Sequence, residues 1–274
     1  MRHPSRREVA IWKYLAERAK TSSPTFRAVL PPEFGPTDVS LLGLRIQEID
    51  VVLTDVLWSA VNFWCFARLT RVRHTLSRAG TWFRFMFLLM GVAVLLGAFL
   101  GHGFQYALGY EAKYPGWIVS MWGVACFERS AILYAGQRVS ARLGRIMSVA
   151  NVIELAVFHA LVLFSQPLLD YLGLDFNAFY FVEIHAGYGL VAIALPLHAI
   201  IYFQTGDPAS KYVLLGIAVA ASALVVHLTE FYLHPVWFNY HDVSHVILTG
   251  STLLYFLAAK RMTPAHAKAP SLTA

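Results

Sequence analysis

TWFRFMFLLMGVAVLLGAFLGHGF, residues 81–104, decides how the rest of the chain is read. A single full charge, Arg84, interrupts it. A helix rises about 1.5 Å per residue, so an apolar run of this length covers the roughly 30 Å hydrocarbon layer of a bilayer. The run also ends on a histidine, His102, between two glycines. Six further stretches share its character: about 49–69, 115–136, 144–165, 178–203, 210–232 and 238–259, with this one taken as 81–103. The resulting expectation is all-α: a polytopic membrane protein with a seven-transmembrane-helix bundle over residues 45–260. A basic leader, 1–44, precedes it and a short tail, 261–274, follows.

Composition agrees. Of 274 residues, 57% are apolar and 14% charged, with mean hydropathy +0.55. A soluble domain carries about a quarter charged residues. Lys and Arg number 22 against 16 Asp and Glu, a formal excess of +6, but they are spread over the leader and several loops. With no compact basic domain, a nucleic-acid partner is excluded. Cys65 and Cys126 fall within apolar spans and read as packing residues.

The first 21 residues lack the continuous apolar core of a secretory signal. Val9, Trp12 and Leu15 can share one side of a surface helix, with Arg and Lys on the other. The Pro- and Ser-rich stretch 22–38 reads as an irregular connector. Seven spans place the termini on opposite sides. The loops on the N-terminal face, 104–114, 166–177 and 233–237, hold one basic residue, Lys113. The opposite loops hold Arg71, Arg73, Arg78, Arg138, Arg142 and Lys211, and the tail adds Lys260, Arg261 and Lys268. That bias makes the opposite face cytoplasmic.

Counting along each span gives the depth of every buried polar residue. His102, His159, His185, His227, His241 and His245 fall in the half nearer the N-terminal face, with Glu48, Asp50, Asp55, Glu183 and Glu230. Glu128 and Glu154 come near mid-depth and His198 toward the far side. Ionisable groups in hydrocarbon are costly and face one another or water inside the bundle, so the pattern predicts a polar cavity near one face.

FNYHDVSHVILTG, residues 238–250, places His241 and His245 four apart, on one helix face. That spacing lets two imidazoles share a metal ion, and His102 lies at matching depth on another helix. Three histidines and an open position suit catalytic zinc. Asp242, Asp50 and Asp55 are the carboxylates available to move a proton. The alternative is a histidine pair that hydrogen-bonds across the bundle.

The arrangement resembles the CREST superfamily of alkaline ceramidases, progestin and adipoQ receptors and related bacterial seven-span proteins. Members have seven helices and a zinc ion held by one histidine at the end of span two and an HxxxH pair on span seven. The matching residues here are His102 in LLGAFLGHGF and His241 and His245 in YHDVSH. QEIDVVLTD, residues 47–55, looks like the family's acidic motif at span one. The likeness covers about 48–260. It implies an intramembrane zinc-dependent hydrolase of a lipid amide or ester, with membrane lipid as substrate and partner, in a bacterial inner membrane.

Two departures stand out. The family typically has Ser four residues before the span-two histidine, where this chain has Ala98, and an Asp near the start of span three, where the local candidate is Glu111. Both residues belong to the family's hydrolytic site. A non-catalytic zinc sensor or accessory protein is therefore a second expectation. Haem bound by a pair such as His185 and His227 is a third. A proton relay through Glu128, Glu154, Glu183 and Glu230 is a fourth.

Overall fold

The computed structural model describes residues 35–165 and 178–263. The expected surface helix around Val9, Trp12 and Leu15, most of the connector, the 166–177 loop and the end of the tail lie outside them. Seven helices are long and apolar enough to cross a membrane: α1 (Ile49–Arg71), α2 (Arg78–Gly103), α3 (Tyr114–Arg138), α4 (Ala141–Phe164), α5 (Phe179–Thr205), α6 (Pro208–Thr229) and α7 (Tyr240–Ala259). Each matches a span read from the sequence.

Local chemistry sets the helix ends. Ser77, Ser140 and Asp207 cap α2, α4 and α6 by accepting from the backbone N–H groups of Gly80, Leu143 and Ser210. Such caps satisfy donors that the first turn cannot. Pro208 opens α6, where its missing N–H costs nothing. Gly206, at φ 64°, closes α5 in the left-handed region open to glycine. The short links 139–140 and 206–207 turn α4 back along α3 and α6 back along α5.

Two helices are irregular. The last turns of α2, Gly97–Gly103, are π-helical and carry three glycines and His102. In α5 the segment Tyr188–Ala194 is π-helical immediately before Pro196. Proline has no N–H to close the preceding turn, and the wider turn absorbs that loss. Pro196 is thus accommodated by a π segment.

α3 is the central helix, with 61% of its apolar stretch buried, and it packs against α2, α4 and α5. α1 lies between α2 and α7, and α6 between α5 and α7. Phe83 and Phe87 of α2, Phe127 and Tyr134 of α3, Ile201 of α5 and Val213 of α6 form the main core. Phe127 meets Phe83 edge to face at 5.3 Å. α4 is peripheral: 11% of its apolar stretch is buried, and Ile146, Val149, Val152, Ile153 and Val157 face outward. Cys65 and Cys126 are buried, as packing residues would be, and carry free thiols.

One element was not read from the sequence. β1 (Val39–Leu41) and β2 (Leu44–Ile46) form an antiparallel hairpin across the expected boundary at residue 44. Leu42 and Gly43 make its two-residue turn at φ 53° and 80°. Asp38, in the expected irregular connector, anchors it. Its Oδ2 accepts from Arg45 Nη2 at 2.6 Å and Gly35 N at 2.9 Å, and its Oδ1 accepts from Glu48 N at 3.1 Å.

Candidate functional site

Asn239 caps α7: its Oδ1 accepts from His241 N at 2.8 Å, and Asp242 Oδ2 accepts from Asn239 N at 2.8 Å. This reciprocal capping box stiffens the first turn of the helix that carries the HxxxH pair. The second oxygen of Asp242, Oδ1, accepts from Thr54 Oγ1 at 3.0 Å and ties α7 to α1. Asp242 is fully buried with both oxygens engaged, so its evident work is to cap and cross-link.

One turn further along α7, His245 turns Nδ1 toward α1, 3.2 Å from Asp55 Oδ1 and 3.2 Å from Thr54 Oγ1. Trp58 stacks on its ring at 5.8 Å between centroids. On α2 the π-helical turn presents His102, whose Nδ1 lies 2.7 Å from Glu48 Oε2. A carboxylate on Nδ1 fixes the ring and leaves Nε2 as the free ligand atom, the usual outer-shell arrangement of a metal-binding histidine. His102 has it as a hydrogen bond; at His245 the Asp55 carboxylate stands beside Nδ1 as an ion-pair contact, and Thr54 Oγ1 is the hydrogen-bond partner.

Glu48 is held in turn. It precedes α1 at φ 48°, a strained left-handed conformation for glutamate, and Asp38 holds its N–H. Gln47 N donates to Gly103 O at 3.0 Å, which fastens the hairpin to the end of α2. Burial pushes the Glu48 carboxyl up, but the His102 hydrogen bond and the charges of His102, His241 and Lys113 outweigh it. Glu48 stays below the usual carboxylate range.

His241 lies between these groups. Its ring is 6.3 Å from that of His102, 5.6 Å from His227 and 4.1 Å from Tyr240, centroid to centroid. His227, on α6, was placed at this depth by the sequence but not assigned to the histidine set. Asp50 Oδ2 accepts from Asn239 Nδ2 at 3.2 Å, while its buried Oδ1 has no hydrogen bond. The nest opens outward on one side: the His102 and Glu48 side chains are 22% and 48% exposed, against 15% and 7% for His245 and Asp55.

The structure gathers the predicted ligands into one nest without closing their nitrogens into a tight triad. Among the described residues, one set of three potential ligands has its donor atoms within 4.8 Å of one another: Glu128, Glu154 and His185. His185 keeps the depth that counting along α5 gave it but faces away from the histidines of the nest. It packs instead against Glu154 and Phe158. His227 lies with Tyr240 and His241, in a different neighbourhood.

The remaining candidates scatter. His159 accepts a hydrogen bond from Trp122 Nε1 at 2.8 Å. His198 is fully buried toward the other end, with Nδ1 3.0 Å from Ser210 Oγ. Glu111 is exposed in a short turn, Tyr110–Lys113, and Ala98 is fully buried in the π segment with His102. Glu183 and Glu230 are exposed.

Residues 51–264 match the model described as Family of unknown function (DUF6962). The chain belongs to that family. The match takes in α1 from its third residue, the other six helices whole and every histidine of the nest, while Glu48 and Asp50 lie just before it. No curated protein and no solved structure matches the chain.

Proposed function

We propose that the chain is a multi-pass membrane protein whose histidine nest holds a zinc ion and hydrolyses an ester or amide of a membrane lipid. Lipid embedding is supported by the outward face of α4. Ile146, Val149, Val152, Ile153 and Val157 are exposed along a helix with 11% of its apolar stretch buried, a surface that water does not favour. The loop charges favour an orientation with the nest away from the cytoplasm. The bacterial inner membrane is the location implied by the resemblance to CREST proteins.

The observation that carries the metal reading is the pair of carboxylate–imidazole contacts, Glu48 to His102 Nδ1 and Asp55 to His245 Nδ1. They fit an ion held by His102, His241 and His245, with His227 beside His241. Zinc held there would supply Lewis acidity for attack by water. The chain's own residues would do the rest. Glu48 and Asp55 orient imidazoles. Asp242 fixes the start of α7. Asp50 has an oxygen to spare and would take the proton. The open side at His102 and Glu48 would admit the substrate's polar linkage while its chains stay in lipid.

A second reading, a zinc-holding sensor without turnover, is favoured by Ala98: it is buried in the π segment and supplies no hydroxyl. Purified protein in mixed-lipid vesicles, assayed for fatty-acid release, separates the two. The hydrolase reading expects release that His245→Ala abolishes and Asp50→Asn slows by about 10²-fold or more. Zinc-loaded protein that releases no fatty acid from ceramide, phospholipid and acylglycerol would leave the sensor reading.

A further inference from the structure

A second cluster lies outside the histidine nest, where α3, α4 and α5 meet. Each helix contributes one ligand: Glu128 from α3, Glu154 from α4 and His185 from α5. Glu128 and His185 are 1% and 0% exposed. These groups are poorly satisfied as they stand. Both ring nitrogens of His185, both oxygens of Glu154 and Oε1 of Glu128 are buried without a hydrogen bond. His185 Nε2 approaches Glu154 Oε1 at 3.4 Å but makes no hydrogen bond. Glu128 and Glu154 lie within hydrogen-bonding reach of each other, two acceptors face to face as carboxylates. Buried polar atoms are nearly always paired, and this point lacks a donor or a cation.

The surroundings are built to hold them. Asn151 Nδ2 donates to Glu128 Oε2 at 2.7 Å, and Arg129 Nε donates to Asn151 Oδ1 at 3.0 Å. Glu128 is thus fixed by one oxygen and presents the other. Gly189 faces it from the π-helical segment of α5, and a Cβ there would overlap Glu128 Oε1. The space Gly189 provides is taken by a carboxylate. A cavity of about 110 Å³ adjoins the group, lined in part by Glu128, Asn151, Glu154 and Tyr188.

We infer that Glu128, Glu154 and His185 form a binding site for a first-row divalent transition-metal ion that staples α4 to α3 and α5. Two carboxylates and an imidazole suit manganese, iron, cobalt or zinc. A 2+ ion cancels the two carboxylate charges, which are costly side by side in an apolar interior. Ligands at roughly 2.1 Å from an ion lie about 3.4 Å apart in tetrahedral geometry. Atoms within 4.8 Å reach that spacing by small side-chain shifts. The ion would hold α4, the most exposed helix, where apolar packing against the bundle is thinnest.

Co2+ is the probe. Detergent-purified full chain, stripped with chelator, is titrated with Co2+ and followed by visible absorption, bound metal and thermal unfolding. His241→Ala/His245→Ala protein is expected to retain one Co2+ per chain, to unfold at higher temperature when loaded, and to lose both properties when Glu154→Gln is added. Gly189→Ala keeps every ligand yet displaces Glu128, and is expected to weaken binding about tenfold. His185→Gln supplies the same test if Glu154→Gln does not yield monodisperse protein. The inference is overturned if the His241→Ala/His245→Ala protein binds no Co2+, or if binding is indifferent to both Glu154→Gln and His185→Gln. Neither result bears on the histidine nest.

Discussion

Asp55→Asn tests the carboxylate–imidazole pairing by removing one charge and little else. Asp55 is 5% exposed and faces His245 Nδ1 at 3.2 Å. Asparagine keeps the size and shape of the side chain, so the contact survives without its charge. A hydrogen bond to a charged group contributes about 1.5–3 kcal/mol and a neutral one about 0.5–1.5. The difference, roughly 1–1.5 kcal/mol, is close to tenfold in affinity. Thr54 Oγ1, also 3.2 Å from Nδ1, stays in place and limits ring rotation. The loss therefore belongs at the lower end of the 10–100-fold range typical of outer-shell partners. Zinc affinity is read by competition with a chromophoric chelator on detergent-purified protein. A change under twofold would show that Asp55 does not orient a ligand. A loss beyond about 10³-fold would make Asp55 itself a ligand.

Other perturbations separate stability from the site. Asn239→Ala removes the cap of α7 and should cost about 1 kcal/mol, lowering the midpoint of thermal unfolding by roughly 2–4 °C and weakening zinc with it. Asp207→Asn disturbs the buried contacts to Tyr134 Oη at 3.0 Å and Ser210 N at 2.8 Å at the other end of the bundle. It should destabilise by about 1–3 kcal/mol while zinc affinity per folded molecule stays constant. Gly216→Ala pushes a methyl into the Tyr255 ring where α6 meets α7. A stability loss of about 1–3 kcal/mol, seen as a lower unfolding midpoint, is expected.

Helix positions were legible because hydrophobic runs and caps are local. What counting along a helix cannot supply is azimuth. His185 shares its half of α5 with the nest by depth, yet it faces Glu154 of α4. Glu128 and Glu154 read as isolated mid-depth charges until the three helices are assembled. The π-helical turns add to this, since each shifts the angular register after it, and Gly97–Gly103 does so just where His102 is presented. The hairpin was missed for a different reason: its strands are three residues long, and Leu42 is not a residue that announces a left-handed turn. The role of Asp242 could have been read. Asn239-x-x-Asp242 before an apolar run has the spacing of a capping box.

The most direct test of the central claim is the zinc content of full-length protein purified in detergent, wild type against His241→Ala/His245→Ala. The account predicts that the double substitution removes one equivalent of zinc per chain while the protein stays folded. Wild-type protein without zinc, or a double variant that retains all of it, would contradict a metal centre at the head of α7.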